Sequence, residues 1–183
     1  MENGEWRNPL LHTSCFILRD WSFSVPRKTT KSLVRDVEPD RLYNSKQVAK
    51  LINRVMLNGK KQLAERLVYG GMQKAADKLK VKNPLEVLEQ AFKNVQPHLE
   101  TRSRRVGGAN YQIPFEVKGQ RQQHLIILWF VDAARGRKGM SMEDRIAQEL
   151  VDAYNNTGEA VKKKEDVHKM AEANRAFAHF ARS

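Results

Sequence analysis

Gln120-Arg121-Gln122-Gln123-His124-Leu125-Ile126-Ile127-Leu128-Trp129-Phe130-Val131-Asp132-Ala133-Ala134-Arg135 runs for 16 residues without glycine or proline, fenced by Gly119 and Gly136. Its centre, with Ile126, Ile127, Trp129, Phe130 and Val131, has the β-branched and aromatic content of a strand. Its length argues the other way, since strands usually run about 5–6 residues and buried helices two or three times that. The stretch therefore reads as a helix buried nearly all round, Trp129 included. That reading makes the protein mainly α.

Immediately upstream the apolar period drops to two. Glu100-Thr101-Arg102-Ser103-Arg104-Arg105-Val106 and Tyr111-Gln112-Ile113-Pro114-Phe115-Glu116-Val117 flank Gly107-Gly108-Ala109-Asn110, the pattern of a β-hairpin with a glycine turn. Pro114 has no N–H for a ladder, so its strand is an edge. The first strand is too charged to enter a core, and the hairpin is expected to project as an arm. Further upstream, Ser45 is placed to cap a helix burying Val48, Leu51, Ile52 and Val55, stopped by Asn58-Gly59. A second helix is expected from about residue 60 to 79, with Leu63, Leu67, Val68, Met72 and Ala75 inward. Asn83-Pro84-Leu85-Glu86 opens a third, in which Glu86 is expected to reach back to the cap amide. Its inward face is Leu85, Leu88, Ala91, Phe92 and Val95.

Downstream, Ser141 caps a helix with Met142, Ile146, Leu150 and Val151 inward, and Gly158 follows its C-terminal turn. A last helix is expected to open at Lys162-Lys163-Lys164 and run through Phe177. The sum is a single domain of about six helices with a hairpin arm at 100–117, occupying residues 40–183. Residues 25–39 read as a basic arm carrying Arg27, Lys28 and Lys31. Residues 1–24 read as a disordered leader or an over-long start, and Val25 stands where a GTG initiator would be translated.

Composition narrows the function. The 183 residues hold 33 Lys and Arg against 21 Asp and Glu, a net charge of +12. The leader has two arginines against three acids, so all the excess lies beyond it. The longest apolar run is seven residues, Leu125 to Val131, where a membrane span needs about 20. No membrane partner is expected. The single cysteine, Cys15, excludes an internal disulfide framework and a cysteine-rich zinc site. No two of the five histidines form the helical zinc-protease spacing, and they read as solvated or RNA-facing. Asn58-Gly59-Lys60-Lys61 lacks the upstream glycine and the hydroxyl residue of a phosphate loop. No nucleophile–base pair or paired carboxylates emerge, so neither an enzyme nor a cofactor is expected.

The cations gather at exposed places: the arm, the helix start at Lys60 and Lys61, the hairpin with Arg102, Arg104 and Arg105, the loop with Arg135, Arg137 and Lys138, and Lys162 to Lys164. Three lysines opening a helix are disfavoured by its dipole, so helix stability alone does not place them there. Arg104 and Arg105 adjoin a Gly107-Gly108 turn that admits a partner closely, and arginine forks onto phosphate or stacks on a base. Tyr111, beside Asn110, is the best base-stacking candidate. The expected partner is a nucleic acid.

Three blocks also resemble one known family. Asn53 to Lys61, Glu100 to Pro114 (Glu-Thr-Arg-Ser-Arg-Arg-Val-Gly-Gly-Ala-Asn-Tyr-Gln-Ile-Pro), and Ala160 to Phe180, which holds Val161-Lys162-Lys163-Lys164-Glu165-Asp166-Val167-His168, are similar to bacterial small-subunit ribosomal protein seven. The likeness runs from about Pro26 to Arg182, with the blocks in the family's order. It implies a helical core with a hairpin arm, and a primary ribosomal-RNA-binding protein that nucleates assembly of the small-subunit head. The site implied is the subunit interface near the decoding region, in a bacterial or organellar ribosome, with ribosomal proteins nine and eleven as neighbours. On this likeness Arg27, Lys28, Lys31, Lys60, Lys61, Arg121, Arg135, Arg137, Lys138, Lys162, Lys163, Lys164 and Arg175 are expected on small-subunit ribosomal RNA. Arg102, Arg104, Arg105, Gly107, Gly108, Asn110 and Tyr111 of the hairpin are expected beside exit-site tRNA and messenger RNA. Relatives commonly end in an aromatic residue after His179-Phe180, whereas this chain ends Ala181-Arg182-Ser183. A free-standing nucleic-acid-binding translational regulator is the rival reading.

Overall fold

In a computed structural model, residues 36–181 are described. The leader, with His12 and Cys15, and the cations Arg27, Lys28 and Lys31 lie outside the described residues. From Val37 onward the chain forms one compact unit. Its elements run α1 (Lys46–Val55), α2 (Lys61–Leu79), α3 (Pro84–Val95), β1 (Leu99–Val106), β2 (Ala109–Glu116), α4 (Gly119–Gly136), α5 (Met142–Tyr154), α6 (Glu159–Ala173) and a closing 3-10 helix (Arg175–Ala181). The fold is mainly α with a two-stranded antiparallel hairpin.

The deciding stretch is a helix, α4. Leu125, Ile126, Ile127, Phe130, Val131, Ala133 and Ala134 are buried, and Phe130 meets Phe92 of α3 edge-on at 5.9 Å. The helix is not covered all round: Leu128 and Trp129 are half-buried. The centre of the molecule is formed by Val48, Leu51 and Ile52 of α1, Val68 and Met72 of α2, Leu88 of α3, Phe130 of α4, and Ile146 and Leu150 of α5.

Helix α2 departs from expectation on its inward face. Its buried stripe is Ala64, Val68, Gly71, Met72, Ala75 and Ala76, while Leu63 is exposed and Leu67 half-buried. The reason is α5, which lies against the small residues of α2. A Cβ on Gly71 would stand 2.8 Å from Ile146 Cγ2 and 3.1 Å from the Glu143 carbonyl. Lys74 seals the seam with salt bridges to Glu143 at 3.3 Å and Asp144 at 2.7 Å.

Caps follow the sequence at some ends only. Ser141 Oγ accepts from the Asp144 N–H at 3.2 Å, the expected cap of α5. Ser45 and Asn83 occupy their cap positions but make no side-chain bond to a helix amide. Glu86 accepts from the Asn83 side chain at 2.6 Å instead of from the cap N–H. Ahead of α1 the turn is tied by Asp40, whose Oδ2 accepts from the N–H groups of Leu42 and Tyr43 at 3.2 and 3.3 Å. The same carboxylate accepts from the Tyr69 hydroxyl, which its burial and this bond push far above the usual tyrosine value.

Helix α6 begins three residues earlier than expected and ends sooner. Its cap acceptor comes from another element: Glu149 Oε1 of α5 accepts the Ala160 N–H at 3.1 Å. Lys162 to Lys164 consequently lie at the passage into the second turn. Gly158 caps at φ 101°, and a Cβ there would meet Asp152 Cβ at 3.0 Å. At the other end Asn174 turns its side-chain amide onto the Met170 carbonyl at 2.8 Å, and Phe177 falls in the 3-10 segment.

Candidate nucleic-acid interface

The hairpin turns on two residues, not four. Val106 pairs with Ala109, and Gly107 and Gly108 both take positive φ, 58° and 91°, the two-residue geometry that suits twisted strands and favours glycine. This register sets Arg102 opposite Ile113, Arg104 opposite Tyr111 and Arg105 opposite Asn110. Residues 102–105 are exposed, as their charge requires, with Asn110 and both glycines. The hairpin is nonetheless not free on every side. Ile113 is fully buried, and the Tyr111 ring lies 5.1 Å from Phe177 and 5.8 Å from Phe180 of the 3-10 helix. Arg104 Nη1 donates to the Phe180 carbonyl at 3.0 Å.

At the foot of the hairpin Arg121 forks onto Glu100, with Nε to Oε2 at 3.1 Å and Nη2 to Oε1 at 2.8 Å. These bonds hold the Glu100 carboxyl below the usual carboxylate range, against its partial burial. Helices α1 and α4 enclose a cleft of about 460 Å³ lined by Lys50, Asn53, Arg54, Gln120 and His124. Lys50 donates to Gln123 of α4 at 2.9 Å, and Arg135 caps the end of α1 by donating to the Arg54 carbonyl at 3.1 Å. The chemistry of this cleft, cations and amides on rigid helices, suits phosphates and base edges.

Residues 26–175 match the family described as ribosomal protein S7p/S5e. The chain belongs to that family. It is 57% identical over 147 residues to small ribosomal subunit protein uS7 of Thermosipho melanesiensis, covering 80% of this chain and 94% of the relative. It is 58% identical over 146 residues to the uS7 of Symbiobacterium thermophilum and 59% identical over 146 residues to that of Pelotomaculum thermopropionicum, each alignment covering 80% of this chain and 93% of the relative. The resemblance read from the three blocks is the family relationship itself. S7p/S5e proteins are structural ribosomal proteins rather than enzymes.

This member of the S7p/S5e family divides its cations into two sets. Lys60, Lys61, Lys138, Lys162, Lys163 and Arg175 are exposed, Lys61 within 4.0 Å of Glu65. Others are engaged by the protein. Arg137, whose side chain is 19% exposed, binds Glu149 Oε2 through Nε at 3.1 Å and Nη2 at 2.7 Å, and also Asp152. Glu149 is fully buried. Lys164 donates to the Asn94 carbonyl at 2.6 Å near the end of α3. Arg104, Arg121 and Arg135 keep exposed surface while making the bonds given above.

His168 is not simply solvated. Its Nε2 accepts the His98 backbone N–H at 3.1 Å, and burial, with help from His98 and Lys164, lowers its pKa. Sequence reasoning passed over the α1 cations, although Lys46, Lys50 and Arg54 recur every four residues opposite Val48, Leu51, Ile52 and Val55. It also took Phe177 for a residue of a continuous helix. Among the described residues no cluster of His, Cys, Asp and Glu is arranged to hold a metal ion, and no helix is long and apolar enough to cross a membrane.

Proposed function

We propose that this protein is a structural constituent of the small ribosomal subunit of a bacterial-type ribosome, working in the cytoplasm. It binds ribosomal RNA directly and nucleates assembly of the head. The hairpin faces exit-site tRNA and messenger RNA near the decoding region at the subunit interface, and ribosomal proteins nine and eleven are its protein neighbours. The observation that carries the reading is the family match over residues 26–175. The exposed cations and the α1–α4 cleft agree with it chemically. In this reading ribosomal RNA is held by Lys60, Lys61, Lys162, Lys163 and the cleft residues Lys50 and Arg54, whereas Arg137 and Lys164 serve the fold. The test is reconstitution: the purified chain is added to small-subunit RNA and the other subunit proteins, then sedimented in high salt. Retention with the particle is expected. Recovery in the supernatant would overturn the reading and favour a free-standing regulator.

A further inference from the structure

The hairpin joins the helical body at two crossings, residues 97–98 going out and 117–118 coming back. The Val117 N–H donates to the His98 carbonyl at 3.0 Å and closes the root between them. Two helices grip this root. From the first turn of α4, Gln122 donates to the Pro97 carbonyl at 2.7 Å and Arg121 forks onto Glu100. From α6, His168 Nε2 accepts the His98 N–H at 3.1 Å.

The α4 grip is poorly suited to adding bulk stability. The Arg121 side chain is 46% exposed, and ion pairs this wet contribute little to folding. What a two-bond fork supplies is angle, because both bonds hold only in one relative orientation. Glu100 suits that task, with a side chain only 15% exposed and Arg102 as a second cation at 3.6 Å. The α6 grip differs in kind. A neutral imidazole accepts the His98 N–H, whereas an imidazolium, protonated on both nitrogens, does not. The groups that face His168 are the His98 ring at 6.0 Å and Lys164, with Glu165 and Glu172 exposed on its own helix. Burial and the two basic neighbours hold it neutral at physiological pH.

We propose that these bonds form a two-jawed clamp that sets the direction of the hairpin, with Arg121 of α4 as a fixed jaw and His168 of α6 as a jaw that acid releases. Both are positioning residues. The Glu100 carboxyl, held below the usual range, stays ionised while His168 takes up its proton, so acid opens one jaw and leaves the other shut. The clamp belongs to the free protein and operates without any RNA.

The test uses the full chain carrying Cys15→Ser, with spin labels on Ala109→Cys at the hairpin tip and Gln90→Cys on α3. Pulsed dipolar spectroscopy reads the spread of tip-to-core distances at about pH 7.5 and about pH 5.5, either side of the ordinary histidine value. Amide exchange at His98 reads the α6 jaw itself. The wild type is expected to show a narrow spread that broadens in acid, while protection of the His98 amide falls about tenfold, the loss of one hydrogen bond. His168→Gln keeps an acceptor that does not titrate and should stay narrow at both pH values. His168→Leu should be broad at both. Arg121→Met should broaden the neutral spread, and exchanging the pair, Glu100→Arg with Arg121→Glu, should narrow it again. Circular dichroism reports the helical core separately. If it shows Arg121→Met unfolded, Arg121→Lys takes its place, since it keeps the charge but not the fork, and it too should be broad. A narrow spread in every root variant would overturn the clamp and give the hairpin's direction to its contacts with the 3-10 helix. Acid broadening that persists in His168→Gln would overturn the releasable jaw.

Discussion

Glu149 carries the heaviest obligation of any single side chain here. Fully buried, it accepts from Arg137 through one oxygen and from the Ala160 N–H through the other, so one carboxylate joins a loop cation to the start of α6. An ion this deep is costly to strand. Arg137→Met is therefore expected to destabilise the fold by about 3–5 kcal/mol, because it leaves Glu149 with only the amide. Arg105→Met, on exposed surface, should stay within about 0.5 kcal/mol of wild type. Urea titration of both variants decides it, and equal small losses would return Arg137 to the candidates for RNA contact. His168 gives a second test at this scale. Its imidazole accepts the His98 N–H only when neutral, and its folded pKa lies below the ordinary histidine value. The unfolded chain then binds the proton first as the pH drops, so stability is full above about pH 6.5 and declines as pH falls through the lowered folded value. The difference in urea midpoint between wild type and His168→Gln should narrow between pH 7.5 and 5.5, to a degree the conservative variant itself measures.

At the scale of elements the seam between α2 and α5 governs the packing. Glycine inside a helix normally costs about 1 kcal/mol relative to alanine, so alanine is stabilising where there is room. At Gly71 there is none, with Ile146 Cγ2 2.8 Å from the position a Cβ would take. Gly71→Ala should lower stability by about 1–3 kcal/mol through displacement of α5, measured by denaturant midpoint. A rise in stability would mean that α5 moves aside at no cost. The same seam explains why Leu63 is exposed. The small residues of α2 face α5, and the rotation that buries them turns Leu63 outward.

For the whole molecule the net charge of +12 is the dominant long-range property, but affinity depends on which cations remain free. Lys162 and Lys163 are exposed, while Lys164 is committed to the Asn94 carbonyl. Replacing Lys162 and Lys163 with Ala should flatten the plot of log affinity for ribosomal RNA against log salt by about 0.7–0.9 for each phosphate no longer neutralised. Lys164→Ala should leave that slope alone and cost about 1 kcal/mol of stability through its missing hydrogen bond. Filter binding over a salt series, paired with urea titration, separates these outcomes. An unchanged slope in the double variant would make those two lysines mere solvated surface.

The elements that local chemistry dictates were legible in the sequence. The length of 120–135 between two glycines made α4 a helix against its strand-like composition, and Gly107-Gly108 between alternating runs made the hairpin. Family membership was legible too, because Glu100 to Pro114 and Ala160 to Phe180 are long, ordered blocks rather than short motifs. What the sequence alone left open are the partnerships between distant elements. Helix α6 starts at Glu159 because α5 delivers Glu149 to its amides, and no residue near Lys162 announces that. Arg137 and Lys164 look like their basic neighbours along the chain, yet buried Glu149 and the end of α3 claim them. Tyr111 gains its ring neighbours from a segment some 70 residues away. Periodicity and capping act within a few residues, so they fix each element by itself. Which cation is free, and which ring has company, is set by side chains that only folding brings together.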